Sequence, residues 1–249
     1  MKNILKMRIQ QFANRLLRRL EKKVDLNYQL NEDSLALNQL LRLFDNNIFV
    51  PLTKWSISPK EVLHICNDLV INKRTNIIEF GCGFSTLCIA QLLKNNRIKA
   101  SFVTIDNDIE WTKELTKILK RLNLEEFVKI IVAPISEVEK SISKNEQELW
   151  YDFNILNNEL INISNFDLVI VDGPIGAITP YARYSAVPFL KEKLSDNYAI
   201  FLDDTHRDIE FEIAHEWHKS LGGEIKGYNR YYCLTNKNNF NVSPFGNKY

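Results

Sequence analysis

The chain has 249 residues, of which 45% are hydrophobic and 25% charged, and its formal net charge at pH 7 is +1. This size and composition predict one soluble globular domain with its own core, and the near-neutral charge gives no general field for nucleic acid. No apolar run approaches the roughly 20 residues that span a bilayer, and no secretory signal is visible. The four cysteines show no Cys-x-x-Cys spacing, so we expect reduced thiols in a cytoplasmic protein rather than a zinc knuckle.

The first 24 residues predict a basic amphipathic helix. Apolar residues recur there at spacings of three and four, at Leu5, Ile9, Phe12, Leu16 and Leu20. Basic residues fall largely off this stripe, against one acidic residue, Glu21, and they are Lys2, Lys6, Arg8, Arg15, Arg18, Arg19, Lys22 and Lys23. Such a helix can lie on an anionic membrane surface, or it can pack on the domain or on a second subunit, which is the commoner case. A second helix is predicted over 32–44, so residues 1–50 are expected to form a helical extension.

From residue 58 onward, helical and extended segments alternate. Ser58 is a predicted N-cap, Pro59 suits the first helical position, and Glu61 can close a capping box for a helix that reaches about residue 72. Strands are predicted over 76–80, 101–105, 128–133, 166–171, 199–202, 224–228 and 231–235. Further helices are predicted over 86–93, 109–122, 135–145, 182–194 and 208–221.

This alternation predicts an α/β fold with a doubly wound, mostly parallel, seven-stranded sheet and helices on both of its faces. The last two predicted strands are separated only by Asn229 and Arg230, which predicts an antiparallel hairpin at the C-terminal edge. The main domain is expected to span 51–237 and to be followed by a tail at 238–249.

The glycine loop after the first predicted strand is the leading candidate for a ligand site. Gly81 and Gly83 follow Glu79, and Thr86 stands where a dinucleotide-binding loop has its third glycine. A loop between a strand and a helix N-terminus can cradle a phosphate, a dinucleotide or a nucleoside. A carboxylate beside the loop disfavours a pyrophosphate and favours a cation, and Asp106 after the second strand suits a ribose hydroxyl pair. The pattern favours a cationic nucleoside, with an NAD(P)- or nucleotide-sugar-binding enzyme as the alternative.

The order of Glu79-x-Gly81-x-Gly83, Asp106 and a final hairpin resembles class I S-adenosylmethionine-dependent methyltransferases over roughly residues 50 to 235. A narrower resemblance, to a group of mostly uncharacterised bacterial methyltransferases, rests on Trp55-Ser56, Trp150-Tyr151-Asp152, the run 166–174, Ala182-Arg183-Tyr184 and the run 202–207. The resemblance implies a Rossmann-like methyltransferase fold with S-adenosylmethionine as cofactor. It assigns the methionine end to the glycine loop and the ribose to Asp106, so the expected cofactor-binding residues there are Glu79, Gly81, Cys82, Gly83, Ser85, Thr86 and Asp106. Trp55 is expected to join them as a wall of the pocket, because a tryptophan can line a cofactor or acceptor site.

Three aspartates are expected at neighbouring strand ends, Asp172 after the fourth strand and Asp203 and Asp204 after the fifth. Converging carboxylates repel each other unless a proton or cation intervenes, and Mg²⁺ or another hard divalent cation prefers oxygen ligands. The pattern is similar to metal-dependent O-methyltransferases of the catechol type, although Asp204 stands where those have Asn and no lysine closely follows Asp172. We therefore predict a metal site at Asp172, Asp203 and Asp204, with Asp172 and His206 as catalytic residues. Alternatively, the aspartates and Thr205 cap the next helix or form turns.

Arg183 and Arg207 are predicted to bind an anionic substrate, with surface charge or ion pairing as the alternative. These expectations describe transfer of a methyl group from S-adenosylmethionine to a small-molecule oxygen, such as one on a sugar or glycan precursor, with assistance from a cation. Beyond the acceptor, the expected partner is a membrane surface or a second copy bound through residues 1–24, and no nucleic acid is expected. A non-catalytic scaffold recruited through that helix is the remaining alternative.

Overall fold

The computed structural model describes residues 2–45, 48–237 and 240–246, with the backbone alone at 2–13, 16 and 18–22. The helices in these residues are α1 Lys2–Leu41, α2 Pro59–Ile71, α3 Phe84–Asn95, α4 Ile109–Leu122, α5 Phe153–Glu159, α6 Ala186–Leu190 and α7 Asp208–Leu221. The strands are β1 Asn76–Phe80, β2 Ser101–Asp106, β3 Lys129–Val132, β4 Ile135–Glu137, β5 Leu149–Tyr151, β6 Phe166–Val171, β7 Leu194–Leu202, β8 Glu224–Tyr228 and β9 Tyr231–Thr235. Short 3-10 turns occupy Glu125–Phe127 and Lys191–Lys193.

One seven-stranded sheet organises the domain, in the order β3-β2-β1-β6-β7-β9-β8. Its first five strands run parallel, while β9 is antiparallel to both β7 and β8. This confirms the predicted doubly wound sheet with an antiparallel C-terminal hairpin. The strand order reverses between β1 and β6, and in open sheets of this kind ligands bind in the crevice at that reversal, beyond the carboxyl ends of the strands.

Helices cover both faces of the sheet, so residues on both sides of its central strands are buried, and most of them are apolar. Adjacent residues of β1 point to opposite sides. Ile77 joins a core with α2, α3 and α4, whereas Ile78 joins a core with α5, α6 and α7. Both side chains are fully buried, which makes β1 the rigid centre from which the glycine loop emerges.

The N-terminal extension is one continuous helix, α1, where the sequence predicted two. Residues 2–41 contain neither proline nor glycine, so nothing in this stretch ends a helix once it has formed. Its last turns pack on the domain: Ala36 and Leu40 are buried, and Lys60 of α2 contacts Glu32 through a 2.7 Å ion pair. The predicted helical extension is confirmed, whereas the predicted domain boundaries stay predictions. None of the described helices has the length and apolar character needed to cross a membrane.

Two other predicted helices were wrong in whole or in part. The segment predicted as a helix over 135–145 begins instead with β4, which pairs antiparallel with β5. This pairing places Trp150 in the core with no exposed surface, and burial of that large side chain outweighs the helical spacing of the apolar residues. The helix predicted over 182–194 is reduced to α6, because Leu194 already lies opposite Phe166 in the β6–β7 ladder.

Candidate active site

The glycine loop leaves β1 and packs directly against the turn that follows β6. Gly81 has a φ of +95°, and its N–H donates to the carbonyl of Ile105 at 2.8 Å. A Cβ atom added to Gly81 would lie 2.9 Å from the backbone nitrogen of Gly173. This position therefore requires glycine for both its conformation and its close approach to a neighbouring backbone. The contact holds the loop beside Asp172, at the reversal of strand order.

Glu79 lies beneath the loop as a fully buried carboxylate. It accepts hydrogen bonds from Ser85 Oγ at 2.5 Å, Thr86 Oγ1 at 2.5 Å and Thr104 Oγ1 at 2.7 Å. Burial raises the pKa of Glu79 to about 7, and the three hydroxyl donors oppose that rise. These bonds tie β1 to α3 and β2, so Glu79 positions the loop. Its predicted contact with the cofactor stays a prediction.

Thr86 explains why the third glycine of a dinucleotide loop is absent. Its hydroxyl donates to Glu79 and also accepts a hydrogen bond from the Gly83 N–H at 2.8 Å. Glycine has no side chain to make this double contact. A Cβ atom added to Gly83 would meet no atom within 4 Å, so the loop borders open space on that side.

Asp106 and Trp111 hold the main chain of Cys82 from two directions. Asp106 Oδ2 accepts from the Cys82 N–H at 3.0 Å, and Trp111 Nε1 donates to the Cys82 carbonyl at 2.8 Å. Asp106 Oδ1 accepts from the Asp108 N–H at 2.9 Å, which leaves lone pairs on both oxygens for further donors such as ribose hydroxyls. The Cys82 thiol is buried, and burial raises its pKa. Sequence alone did not predict that Trp111 holds the main chain of Cys82. The available signal for this role was the position of Trp111 in the first turn of the helix that follows Asp106.

The structure brings the three predicted aspartates together at the carboxyl edge of the sheet. One side-chain oxygen from each of Asp172, Asp203 and Asp204 lies within 4.8 Å of the others. Arg183 is buried behind them, and its Nη2 contacts Asp172 Oδ1 at 3.0 Å and Asp204 Oδ2 at 3.1 Å. Arg183 Nη1 also donates to the Asp203 carbonyl at 3.1 Å. The guanidinium thus links all three residues, and its predicted contact with substrate stays a prediction.

Two further arginines complete the charge balance of this cluster. Arg230 binds Asp203 in bidentate fashion, with Nε and Nη2 each 2.8 Å from a carboxylate oxygen. Arg207 Nη1 contacts Asp204 Oδ2 at 3.0 Å, and its side chain is 48% exposed. Arg230 was not predicted from sequence to belong to this cluster. Because β9 runs antiparallel to β7, the hairpin link before β9, which contains Arg230, returns to the end of β7. Prediction of this strand pairing from sequence would have indicated that Arg230 lies near Asp203.

The cluster meets the distance requirement for a divalent cation but not the requirement for free ligand oxygens. Asp203 gives both oxygens to Arg230, and one oxygen of Asp204 is shared by Arg183 and Arg207. Three guanidinium groups already neutralise the carboxylates and would repel a cation. As arranged, these residues do not fit a resident divalent cation.

The aspartates do not serve the helix that follows them. The N-cap of α7 is Arg207, without a side-chain cap bond, so Asp203, Asp204 and Thr205 do not cap it. Asp204 instead has a φ of +63° in the turn after β7. Non-glycine residues adopt this conformation at a cost, and they concentrate at functional sites.

Asp172 is largely buried beside the glycine loop. Its backbone N–H donates to the Phe80 carbonyl at 2.8 Å, which fixes the residue at the end of β1. Burial raises the pKa of Asp172 well above its usual range, Arg183 opposes that rise, and the carboxylates of Asp203 and Asp204 add to it. The carboxyl group is therefore a stronger base than a solvent-exposed aspartate.

A fourth acidic residue, Glu61, lies against the cluster. From sequence it was predicted only to cap a helix. Its N–H donates to Ser58 Oγ at 3.3 Å, as predicted, but its carboxylate does not complete the capping box. The side chain is fully buried, and neither oxygen has a hydrogen-bond partner among the described residues. Burial raises the pKa of Glu61 well above its usual range, and the carboxylates of Asp203 and Asp172 raise it further. Burial and these neighbouring charges therefore favour the neutral form of the Glu61 carboxyl group.

The remaining predicted residues lie at the rim. His206 is exposed, and among the described contacts none joins it to the aspartates. Trp55 is 67% exposed, with Lys54 Nζ 4.9 Å from its ring centroid. The neighbouring Ser56 carbonyl accepts from Arg230 Nη2 at 3.4 Å, so this segment reaches the edge of the cluster. The catalytic role predicted for His206 and the cofactor-binding role predicted for Trp55 stay predictions.

Tyr151 is a buried residue of the site, and the sequence indicated no role for it. Its hydroxyl lies against Gly173, where an added Cβ atom would collide with it. Burial raises the Tyr151 pKa well above its usual range, and the Asp106 carboxylate raises it further. The phenol is therefore a neutral hydrogen-bond donor between the glycine loop and Asp172.

Comparisons with known proteins agree with this geometry. A family model described as a methyltransferase domain matches residues 78–205, just over half of the chain. A search of curated proteins found no match. The Bacillus cereus O-methyltransferase in complex with S-adenosylhomocysteine has 13% identity and a TM-score of 0.54, covering 83% of this chain and 91% of that one. A Podospora anserina methyltransferase bound to S-adenosylhomocysteine has 14% identity and a TM-score of 0.52, covering 83% and 88%.

A third solved structure is the O-methyltransferase TomG of Streptomyces achromogenes, involved in tomaymycin synthesis and in complex with S-adenosylmethionine. It has 15% identity and a TM-score of 0.51, covering 83% of this chain and 90% of that one. At these identities the likeness establishes the shared fold.

Proposed function

The chain belongs to the family of methyltransferase domains, and from that premise we propose that it transfers a methyl group from S-adenosylmethionine to an oxygen of a small-molecule acceptor. The family match confirms the predicted resemblance and favours it over the NAD(P)- or nucleotide-sugar-binding alternative. S-adenosylmethionine and an oxygen acceptor are supported by the similar folds of O-methyltransferases whose structures contain that cofactor or its product.

The observation that carries the proposal is the contact between the glycine loop and the turn after β6. Gly81 approaches Gly173 so closely that a Cβ atom on Gly81 would lie 2.9 Å from the Gly173 nitrogen and 3.1 Å from the Asp172 carbonyl carbon. A ligand cradled by the loop would therefore lie next to the Asp172 carboxyl group. This contact supports the proposal that a cofactor and a basic group share one crevice, an arrangement that methyl transfer requires.

The loop residues fit an adenosyl cofactor. Gly83 borders open space, Asp106 retains lone pairs for the ribose, and Glu79 adds negative charge beneath the loop. The main chain of Cys82 is fixed by hydrogen bonds. We propose that these residues, with the α3 N-terminus at Ser85 and Thr86 and with Trp55 at the rim, hold the cofactor.

Asp172 is the proposed general base. When bound, the cofactor would supply an electrophilic methyl group on its sulfonium; transfer would form a bond from the acceptor oxygen to that methyl group, break the carbon–sulfur bond and leave a thioether. Asp172 takes the proton from the acceptor hydroxyl because its carboxyl group lies beside the glycine loop, and burial raises its pKa. Arg183 orients the carboxylate through Oδ1. Arg207, which is half exposed, is the proposed contact for an acceptor that carries negative charge, and His206 is the proposed alternative base.

The acceptor is proposed to be a hydroxyl of a sugar or glycan precursor. The sequence also predicts assistance from Mg²⁺, and the pairing of the aspartates with arginines argues against it. A chelator tests this directly. We expect turnover to be unchanged by the chelator and by added Mg²⁺, and a loss of turnover that Mg²⁺ restores would reinstate the cation.

The first experiment is calorimetric titration with S-adenosylhomocysteine and, separately, with NAD and NADP. We expect binding of the first ligand alone; its absence would overturn the proposal. Release of S-adenosylhomocysteine in the presence of a panel of hydroxylated acceptors then tests turnover. Asp172→Asn should lower kcat by about 100-fold or more with little change in cofactor affinity. The matched control is Asp196→Asn, an exposed residue at the start of β7. Cofactor binding without turnover on any acceptor would favour the scaffold alternative.

A further inference from the structure

The first part of α1 extends beyond the region where this helix packs on the domain. We call residues 2–24 of α1 the arm. Among the side chains of α1 that the structure describes, the buried ones are Glu32, Ala36 and Leu40, all close to its C-terminal end. Every side chain described between residues 14 and 28 is exposed. At 1.5 Å per residue, the arm is a helix about 35 Å long.

Charge is divided unevenly between the arm and the rest of the chain. The arm has eight basic residues and one acidic residue, a net charge of +7. The rest of the chain has 24 basic and 30 acidic residues, a net charge of −6. The overall charge of +1 therefore conceals a strongly basic arm attached to an acidic body.

The arm also exposes large apolar side chains to solvent. Leu17 and Val24 are 56% and 60% exposed. The helical spacing of positions 5, 9, 12, 16 and 20 places further apolar residues on one face. A helix with an apolar face and many basic residues is the form that binds in the interface of a membrane rather than crossing it.

We propose that the arm lies in the interface of an anionic phospholipid membrane. Its apolar face enters the acyl boundary, and its basic residues contact the headgroups. Pairing with a second copy is disfavoured because each arm has a net charge of +7 and one acid to form ion pairs with its partner. The body, with its net charge of −6, is repelled by the same anionic surface, so we expect the arm to be the part that holds the protein at the membrane.

Sedimentation with lipid vesicles tests this proposal on the full chain. One vesicle preparation is phosphatidylcholine alone, and the other contains about one third phosphatidylglycerol. We expect binding to the anionic vesicles at about 0.1 M salt and its loss at about 1 M, where the Debye length falls to about 3 Å. Each basic residue near an anionic surface contributes about a fivefold factor.

The decisive variant replaces Arg15, Arg18, Arg19, Lys22 and Lys23 with Gln. Its partition onto anionic vesicles should fall on the order of a thousandfold, the product of five such factors. A control with the same change in charge replaces five lysines of the body whose side chains are 46% to 73% exposed, Lys113, Lys117, Lys129, Lys219 and Lys226. That control should bind as the wild type does. Circular dichroism melting of both variants confirms that they fold.

Three outcomes would overturn the proposal. One is the absence of binding to anionic vesicles, and another is equal loss of binding in the control. The third is a dimer in sedimentation velocity that the Gln variant loses while neither protein binds lipid, which would identify a second copy as the occupant of the arm. None of these outcomes depends on methyltransferase activity, so the membrane proposal fails or stands separately from the proposed function.

Discussion

Replacement of Gly81 by alanine is expected to destabilise the protein through two separate costs. The new Cβ atom would lie 2.9 Å from the Gly173 nitrogen and 3.1 Å from the Asp172 carbonyl carbon. Both are backbone atoms, and hydrogen bonds from Asp172 and Gly173 to the Phe80 carbonyl hold that segment in place. Overpacking of this kind costs about 1–3 kcal/mol. The φ of +95° adds about 1–3 kcal/mol for a residue with a side chain.

Together these costs amount to about 2–6 kcal/mol of unfolding free energy. For a chain of this size, 1 kcal/mol shifts the melting temperature by about 2–4 °C, so Gly81→Ala should lower it by about 5–20 °C. Differential scanning calorimetry measures the shift. The binding of S-adenosylhomocysteine should also be lost or weakened at temperatures where the variant is folded.

Gly83→Ala is the matched control, two residues along the same loop. Its backbone φ is 176°, which is extended, and an added Cβ atom would meet nothing within 4 Å. The cost to stability should be less than about 1 kcal/mol, from weaker helix capping alone. If the open space beside Gly83 holds the cofactor, affinity for S-adenosylhomocysteine should fall by at least tenfold. Equal melting temperatures for the two variants would refute the close-approach argument.

Three further predictions concern buried polar groups. Because the folded-state pKa of Glu79 is about 7 and its usual value 4.5, its stabilising contribution is complete below about pH 4.5. It is lost as the pH rises through about 7, by roughly 3 kcal/mol. Unfolding free energies from urea titrations should fall less steeply with pH for Glu79→Gln than for the wild type. An equally steep fall in the variant would contradict the raised pKa of Glu79. Trp111→Phe removes the 2.8 Å hydrogen bond to Cys82 and should weaken S-adenosylhomocysteine binding severalfold, about 1 kcal/mol; calorimetry showing wild-type affinity would argue against it. Arg230→Met leaves the buried Asp203 without its bidentate partner and should lower the unfolding free energy by about 2–3 kcal/mol, less than for a fully buried pair because Arg230 is 37% exposed. A melting temperature within about 2 °C of wild type would show that the pair contributes little.

The sequence by itself determined the sheet and the place of the glycine loop. Strand and helix periods alternate clearly, and parallel strands put their carboxyl ends on one edge. Residues that follow strands, such as Gly81, Asp106 and Asp172, could therefore be assigned to one crevice from local pattern alone. The same local information failed at 135–145, where helical spacing was overridden by the burial of Trp150 against the sheet.

Tertiary structure alone decided which arginines pair with the acidic cluster. Arg230 lies 27 residues beyond Asp203 in the chain and reaches it because β9 returns antiparallel to β7. Arg183 and Glu61 arrive from a turn and from α2. Three aspartates in a sequence indicate a cation, but whether arginines already neutralise them depends on contacts between distant segments. Those contacts are set by strand order and helix packing rather than by local periodicity, so local sequence could not reveal them.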